Sequence, residues 1–346
     1  MTRIALEDSP GETRAVAIDA ADRPVSLFLW RDPAIDPRAV VGDIHSAIVR
    51  KADARTHGQF LDLDTGETAF FNLKKGETAP PEGAHVNVRI RAEAHADKAV
   101  RVELTDDGPE RKTRKASLEN WYSSVLRAED APDELTELEA QAVIDATWEE
   151  LSAESVPLRN GGHLHIDSTR AMTVIDVDSA GRDIRRKASP INVDAIDMIA
   201  RQISLRRLGG LVVADLVGAP QGDQAGRLVK TFRTAARHYG LPRVDVLPIN
   251  RFGLLEISVP RGARPLFPAP SGDEDPEPAL EVMRTLKRRL ASERTTEVQL
   301  KLGRGLYESL GATDFDWRGW LAARFGERFT IHRDDALDET SYVISP

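Results

Sequence analysis

Two apolar segments of the sequence each end at an aspartate. Residues 172–178 read MTVIDVD and residues 211–215 read LVVAD, patterns typical of buried strands. Because side chains alternate across a strand, Asp176 and Asp178 should share one face of theirs. Ligand and metal sites of α/β sheets lie at the carboxyl ends of strands, so we expect Asp176 and Asp215 to approach each other there.

Carboxylate oxygens completed by water are the ligands that magnesium prefers, and water on such an ion becomes a nucleophile near neutral pH. The same acids could instead cap a following helix or accept hydrogen bonds from turn amides. Spacing alone leaves both interpretations open. We find no Ser-His-Asp order and no phosphate-binding glycine loop, and Arg207-Leu-Gly-Gly-Leu reads as the end of a helix.

Apolar and polar residues that alternate between turn residues indicate several β-strands before these acids. Residues 12–30 read as a two-stranded hairpin, and five short strands between 44 and 104 indicate a small barrel of the OB type. Polar residues 105–115 read as a linker, and a helix is predicted from Asp133 until Pro157 ends it.

The region that contains the aspartates alternates strands with helices, which predicts a mixed or parallel α/β sheet. The elements expected there are strands at 163–167, 171–178, 211–215, 243–248 and 253–259, with helices at 191–207 and 222–239. The C-terminal part reads as an α+β unit with helices at 279–292 and 306–324 and strands at 296–302, 329–332 and 341–345.

These elements predict a multidomain protein of the α+β and α/β classes, with an OB-type barrel, an α/β catalytic domain and a small C-terminal α+β unit. The predicted divisions are N-terminal strands packing on the catalytic part (1–38), the barrel (39–105), a linker and helix (106–158), the α/β domain (159–264), a proline-rich connection (265–278) and the C-terminal unit (279–346).

Composition excludes some kinds of site and leaves a polyanionic partner open. The chain has 346 residues, no cysteine and a net charge of −9, so disulfides, thiolate zinc sites and cysteine nucleophiles are excluded. Residues 159–264 nevertheless carry 17 Lys and Arg against 10 Asp and Glu. A basic block in an acidic chain suits contact with nucleic acid, although a solvated charged surface explains it equally. Without an apolar span or signal peptide, we expect a cytoplasmic protein and no membrane contact.

Three segments resemble signatures of the ribonuclease E/G family in the family's order. They are GGHLHIDSTRAMTVIDVDS (161–179), IARQISLRRLGGLVVAD (199–215) and NRFGLLEIS (250–258). Residues 9–19 resemble the family's opening strand, 42–105 its RNA-binding OB domain, and the tail from Gly326 its closing segment.

The resemblance implies a magnesium-dependent endoribonuclease, with manganese as a possible substitute, that cleaves single-stranded RNA and leaves five-prime phosphates. Asp176 and Asp215 take the places of the two metal ligands, and Asp178 would position the ion. A DNase I-like catalytic domain is implied, and the RNA would be a ribosomal or transfer RNA precursor or a messenger RNA.

The resemblance also assigns RNA-binding residues. Phe60 and Phe70 match aromatics of a base-binding pocket, Lys98 falls near a lysine of that surface, and Phe71 competes with Phe70 for the barrel core. The residues expected to contact phosphate are Arg251, Arg170, Arg182 and Lys187. Because the family has ordinary strand residues at His163 and His165, a metal-binding histidine pair is disfavoured.

Departures from the family pattern bear on activity. The long segment with a five-prime-phosphate sensor is missing, and without cysteines a zinc-linked dimer cannot form. Gly218 stands where the family has an acid, Arg207 replaces an aspartate, and Asp178 replaces an asparagine. A non-catalytic RNA-binding relative and a ribosome-assembly or scaffold protein therefore remain alternatives.

Overall fold

The computed structural model describes residues 2–50, 57–73, 76, 78–126, 130–181, 184–241, 243–267, 276–293 and 295–346, except the side chains of 184–187 and 189. In chain order the strands are β1 (Arg3–Ser9), β2 (Glu12–Ile18), β3 (Pro24–Arg31), β4 (Ile44–Val49), β5 (Gly58–Leu63), β6 (Thr68–Asn72), β7 (His85–Ala92), β8 (Val100–Thr105), β9 (Asp133–Glu134), β10 (Ser155–Pro157), β11 (His163–Ser168), β12 (Met172–Asp178), β13 (Gly210–Asp215), β14 (Asp245–Val246), β15 (Leu254–Val259), β16 (Val298–Leu302), β17 (Phe329–Arg333) and β18 (Tyr342–Ser345). The helices are α1 (Arg114–Val125), α2 (Glu137–Ser152), α3 (Ile184–Leu205), α4 (Gly222–His238), α5 (Glu277–Ser292), α6 (Arg304–Ala312) and α7 (Trp317–Phe325).

The N-terminal sheet has the strand order β3-β2-β1-β9 and is covered on both faces. Trp121 of α1 packs on Phe28 on one face, and Ile144 of α2 packs with Val16 on the other. The predicted hairpin is the β2–β3 pair, whereas β1 and α1 were not predicted. The sequence shows no helical repeat of apolar residues for α1, because Trp121 is its one buried residue.

Residues 133 and 134 form a strand rather than the predicted start of a helix. They pair in parallel with β1, and the helix begins only at Glu137. Thr136 and Glu139 form a capping box there, because Glu139 accepts a hydrogen bond of 3.0 Å from the Thr136 backbone amide. The cap, rather than Pro132, therefore fixes where this helix starts.

Strands β4 to β8 form a closed barrel in the order β4-β5-β6-β8-β7. All pairs are antiparallel except β6 with β8, an arrangement of the OB type. Alternate residues fill the interior, among them Leu61, Phe71 and Val88, each at most 3% exposed. The predicted five-stranded barrel is confirmed.

The sheet that carries the predicted acids has the order β10-β11-β12-β13-β15-β14 and is mixed. Only β12 and β13 are parallel neighbours. Helices α3 and α4 cover one face, with Phe232 among the fully buried side chains beneath them. Helix α3 begins at Ile184 rather than after Pro190, which lies inside it, and β10 joins the sheet from residue 155.

The C-terminal unit packs α5, α6 and α7 around a sheet of order β17-β16-β18. The single helix predicted at 306–324 is wrong. The chain leaves α6 at Thr313, and the Asp316 side chain caps α7 by accepting a hydrogen bond of 2.9 Å from the Gly319 amide. In the proline-rich connection, residues 268–275 lie outside the described part of the chain.

Side-chain contacts join these units. Arg201 of α3 donates a hydrogen bond of 2.9 Å to the Pro24 carbonyl, and Glu93 of the barrel pairs with Arg264 at 2.9 Å. The mixed architecture with a barrel and several sheets is as predicted. The DNase I-like arrangement that the resemblance implies stays a prediction. No helix in the described part of the chain is both long and apolar enough to cross a membrane.

Candidate active site on the open sheet face

The predicted pair of acids lies side by side on the sheet. Asp176 of β12 is the direct register partner of Asp215 of β13, and both side chains are exposed on the face opposite α3 and α4. Neighbouring strands lie about 4.8 Å apart, so the two carboxylates leave the sheet at adjacent points. Two acids 39 positions apart in sequence are therefore neighbours in the fold.

The backbone beyond Asp215 is held by a buried side chain of α3. Asn192, fully buried, accepts a hydrogen bond of 3.0 Å from the Val217 amide and donates one of 2.8 Å to the Val217 carbonyl. Gly253 lies against the same loop, because a Cβ there would stand 2.8 Å from the Cα of Ala219. These contacts fix the chain immediately after the second acid.

Asp178 shares the exposed face with Asp176 but has a local partner. Its Oδ1 accepts a hydrogen bond of 3.0 Å from the Ala180 amide, the turn interaction that the sequence left open for these acids. Asp178 lies two residues beyond Asp176, about 6.6 Å along the strand. No group of three or more His, Cys, Asp or Glu side chains in the described residues is placed to hold a metal ion.

The two histidines of β11 face the acids across the strand pair. His165 is opposite Asp176 and His163 is opposite Asp178, with the two imidazole rings 6.2 Å apart. They belong to no metal-binding group among the described residues.

A tight turn before β15 places Arg251 and Phe252 beside the end of β13. The Asn250 side chain shapes this turn by accepting hydrogen bonds from the amides of Phe252 (2.9 Å) and Leu254 (3.2 Å). Leu254 is the register partner of Asp215. The Arg251 guanidinium lies 4.7 Å from the ring centre of Phe252, which is 65% exposed.

The two aromatic residues predicted on the barrel face outward. Phe60 and Phe70 are cross-strand partners with ring centres 4.9 Å apart, and both are partly exposed. Phe71 takes the inward position, at 3% exposure. The Arg101 guanidinium lies 5.2 Å from the Phe70 ring centre, so this surface combines two stacking faces with a cation.

The barrel meets the acid-bearing sheet through Asp97. Its carboxylate is 3.4 Å from the Lys98 amino group and 3.5 Å from the Arg170 guanidinium, which belongs to the β11–β12 turn. Both contacts are exposed, so they contribute little stability. Of the other predicted phosphate contacts, Arg182 and the side chain of Lys187 lie outside the described residues.

Three residues near these sites were not predicted from the sequence. Arg101 could have been found from the alternation of β8, because it lies between the buried residues Val100 and Val102 and therefore faces outward. Phe252 could have been found as an aromatic residue inside a polar turn. Glu256 lies on the same sheet face as Asp215 and accepts a hydrogen bond of 3.2 Å from Asn250.

The fold and site define a class: an α+β protein in which a small barrel with a cationic aromatic surface adjoins a sheet bearing a pair of exposed acids. The family model described as "Ribonuclease E/G family" matches residues 89–261, half of the chain. The chain belongs to the ribonuclease E/G family.

Curated relatives are similar over part of the chain. Ribonuclease E of Escherichia coli K12 is 40% identical over 119 residues, which are 33% of this chain and 11% of that protein. Ribonuclease E of Haemophilus influenzae is 40% identical over 119 residues, 33% of this chain and 13% of that protein. Ribonuclease G of Escherichia coli K12 is 30% identical over 107 residues, 30% of this chain and 22% of that protein.

The similar segment thus spans between about a tenth and a quarter of these relatives. Among solved structures, a multidomain protein with nucleic acid binding domains from Streptococcus pneumoniae is similar over 38% of this chain and 49% of that one. Its identity is 16% and its TM-score 0.20, too low to support an argument about fold.

Proposed function

We propose that this chain is a magnesium-dependent endoribonuclease that cuts single-stranded RNA and leaves five-prime phosphates. The observation that carries the proposal is the register pairing of Asp176 with Asp215 on an exposed sheet face. Membership of the ribonuclease E/G family supports the same activity. The proposed substrates are unpaired segments of ribosomal or transfer RNA precursors or of messenger RNA, in the cytoplasm.

The donor set fits magnesium, with manganese as a possible substitute. Magnesium is commonly held by one or two carboxylates and keeps several waters, so Asp176 and Asp215 suffice without a third protein ligand. Closed structural zinc sites need four ligands, usually thiolates and imidazoles, and this chain has no cysteine. The pair therefore suits a hydrated ion that is open to substrate.

Each residue around the pair has a part in the proposal. Magnesium, when bound, would lower the pKa of water and stabilise charge on the phosphate. Asp176 and Asp215 would hold it, while the Asp178 oxygen not engaged by Ala180 would orient its water shell. Arg251, beside the end of β13, would bind a phosphate of the RNA.

The proposed products follow from which atom attacks. Water adds its oxygen to phosphorus, the bond from phosphorus to the ribose 3′-oxygen breaks, and that oxygen leaves with a proton. The fragments then carry a five-prime phosphate and a three-prime hydroxyl. Because the ribose 2′-hydroxyl takes no part, no cyclic phosphate forms.

The barrel would hold the strand that the sheet cuts. Phe60 and Phe70 offer stacking faces that accept any base, at about 1–3 kcal/mol per base. Lys98 and Arg170 meet at Asp97, which brings the barrel to the start of β12. From Met172 to Asp176 the strand advances about 13 Å, a distance that two or three nucleotides of extended RNA span. A DNase I-like arrangement of the catalytic half is part of this proposal.

Cleavage of a fluorogenic A/U-rich oligoribonucleotide tests the proposal. With magnesium the protein should cut, and with EDTA it should not. Asp176→Asn and Asp215→Asn should each lower the rate by about 100-fold or more while folding normally. The matched control is Asp167→Asn, which removes the same charge from an exposed residue of the same sheet face and should keep the rate within about twofold.

A non-catalytic RNA-binding relative is the second candidate, favoured by Gly218 where the family has an acid and by the absence of a three-residue metal group in the described chain. It predicts that the wild-type protein binds the oligomer without cutting it and that Asp176→Asn changes nothing. In either case the affinity for RNA should fall as salt is added. The logarithm of the binding constant should change with the logarithm of the salt concentration at a slope of about −0.7 per phosphate contact.

A further inference from the structure

A cavity of about 370 Å³ lies at the free edge of β3, away from the sheet acids. Its walls come from the N-terminal sheet, the barrel, the segment after α3 and residues 263–267. A volume of this size is within the range of small-molecule sites. None of the residues given a role in RNA cleavage or RNA binding lines it.

The cavity offers aromatic surface for a planar group. Trp30 and Trp148 line it and are both partly exposed, and Phe28 and Phe267 contribute further aromatic wall. Planar rings of this kind stack on nucleobases, with little preference for which base is present. The polar side chain of Asn120 lies in the same wall and can donate and accept hydrogen bonds.

Most of the charged groups around the cavity neutralise one another. Arg264 pairs with Glu93 at 2.9 Å, and Arg38 pairs with Asp36 at 2.6 Å. Arg31 lies 3.0 Å from a carboxylate oxygen of Glu12. These pairs leave little negative charge for a further cation in the wall.

Arg207 is the further cation. Among the described residues, no hydrogen bond or ion pair within 4.0 Å engages its guanidinium, and the residue is partly exposed and lines the cavity. Burial lowers its pKa, Glu93 opposes that shift, and the positive charges of Arg31 and Arg264 lower the pKa further. Additional negative charge at this point would therefore be stabilised.

The backbone at Arg207 also favours a different residue. Its φ is +58°, in the left-handed region that glycine occupies without strain. An arginine here holds a strained conformation, and its side chain has no hydrogen-bond or ion-pair partner among the described residues. Binding of an anion in the cavity would give the guanidinium the partner that the described residues do not supply.

The cavity and the acid pair lie at opposite ends of β13. Arg207 precedes the strand, which begins at Gly210, whereas Asp215 ends it, about 16 Å further on. A ligand in the cavity therefore does not occupy the proposed cleavage site.

We propose that this cavity binds a free mononucleotide, with its phosphate on Arg207 and its base against Trp30. Arg111 and Lys112, which also line the cavity, add positive charge to its wall. The assignment follows from the combination of a guanidinium without a hydrogen bond or ion pair among the described residues, an aromatic wall and room for one small planar anion. It does not depend on RNA cleavage.

Isothermal titration with AMP, in EDTA so that no metal recruits phosphate to the acids, tests the proposal. The wild-type protein should bind AMP at one site. Adenosine and inorganic phosphate should each bind with an affinity lower by about tenfold or more. Arg207→Gly should weaken AMP binding about tenfold or more. This variant relieves the strained backbone, so it should fold at least as well as the wild type.

Two controls locate the site. Arg227→Gln removes an equal charge from the exposed side of α4 and should leave AMP binding unchanged. Phe60→Ala should leave it unchanged as well, which separates the cavity from the barrel surface. The proposal is overturned if AMP does not bind, if Arg207→Gly binds it normally, if phosphate alone binds equally well, or if Phe60→Ala abolishes binding.

Discussion

Glu12 is the centre of a buried ionic network that joins the N-terminal sheet to the C-terminal unit. Its carboxylate is 1% exposed and lies 2.7 Å from Arg14, 3.0 Å from Arg31 and 2.6 Å from Arg284 of α5. Burial alone would raise the pKa of Glu12, but the charges of Arg284, Arg14 and Arg31 outweigh it and lower the pKa to about 2. The ionised carboxylate therefore stabilises the folded chain.

The size of that stabilisation follows from the pKa. A fall from 4.5 to about 2 corresponds to about 3 kcal/mol, at 1.36 kcal/mol per unit. Because the folded pKa is the lower one, the contribution is complete above about pH 5 and is lost as pH falls toward 2. By pH 3.5 roughly 1 kcal/mol of it should be gone.

Glu12→Gln should accordingly lower the free energy of unfolding by about 3 kcal/mol at pH 7, measured by urea denaturation. The difference from wild type should shrink by about 1 kcal/mol at pH 3.5. Glu308→Gln is the matched control, since Glu308 pairs with Arg304 at 2.9 Å in solvent and should cost less than about 0.5 kcal/mol. A loss at Glu12 no larger than the control's, or one independent of pH, would refute the reasoning.

Four further substitutions test the sites. Phe60→Ala should raise KM for RNA about tenfold in steady-state assays while kcat stays within twofold, because one stacked base is lost. Phe71→Ala, in the barrel core, should instead lower the free energy of unfolding by about 3–5 kcal/mol, measured in denaturant. Gly218→Asp should lower the magnesium concentration needed for half-maximal cleavage, because it adds a carboxylate where the family has an acid. The side chain should fit, since the nearest atom to the new Cβ is Ala188 Cβ at 3.5 Å and aspartate tolerates a φ of +72°. An unchanged magnesium requirement would place residue 218 outside the metal site. Gly253→Ala should reduce cleavage and thermal stability together, since its Cβ would stand 2.8 Å from the loop after β13, and a variant with wild-type melting and activity would contradict that close packing.

Several elements could be read from the sequence because their signals are local. The strands at 163–168, 172–178 and 210–215 and helix α4 carry apolar periodicity of the right period, so their positions were predicted to within a few residues. Helix α1 and strand β1 were not predicted from their residues. The first has a single buried residue, and the second does not strictly alternate, because its neighbouring residues Ile4 and Ala5 are both buried.

The sequence by itself determined which residue types are available for chemistry: the carboxylates at the ends of β12 and β13, the aromatic residues of the barrel, and no thiol anywhere. Only the tertiary structure decided which of them meet. The parallel pairing of β12 with β13 sets Asp176 against Asp215, and one step of register along β6 turns Phe70 outward and Phe71 inward. Arg207 received its cavity in the same way, from elements distant in sequence that close around it. Register and packing depend on the whole core, which no local pattern encodes.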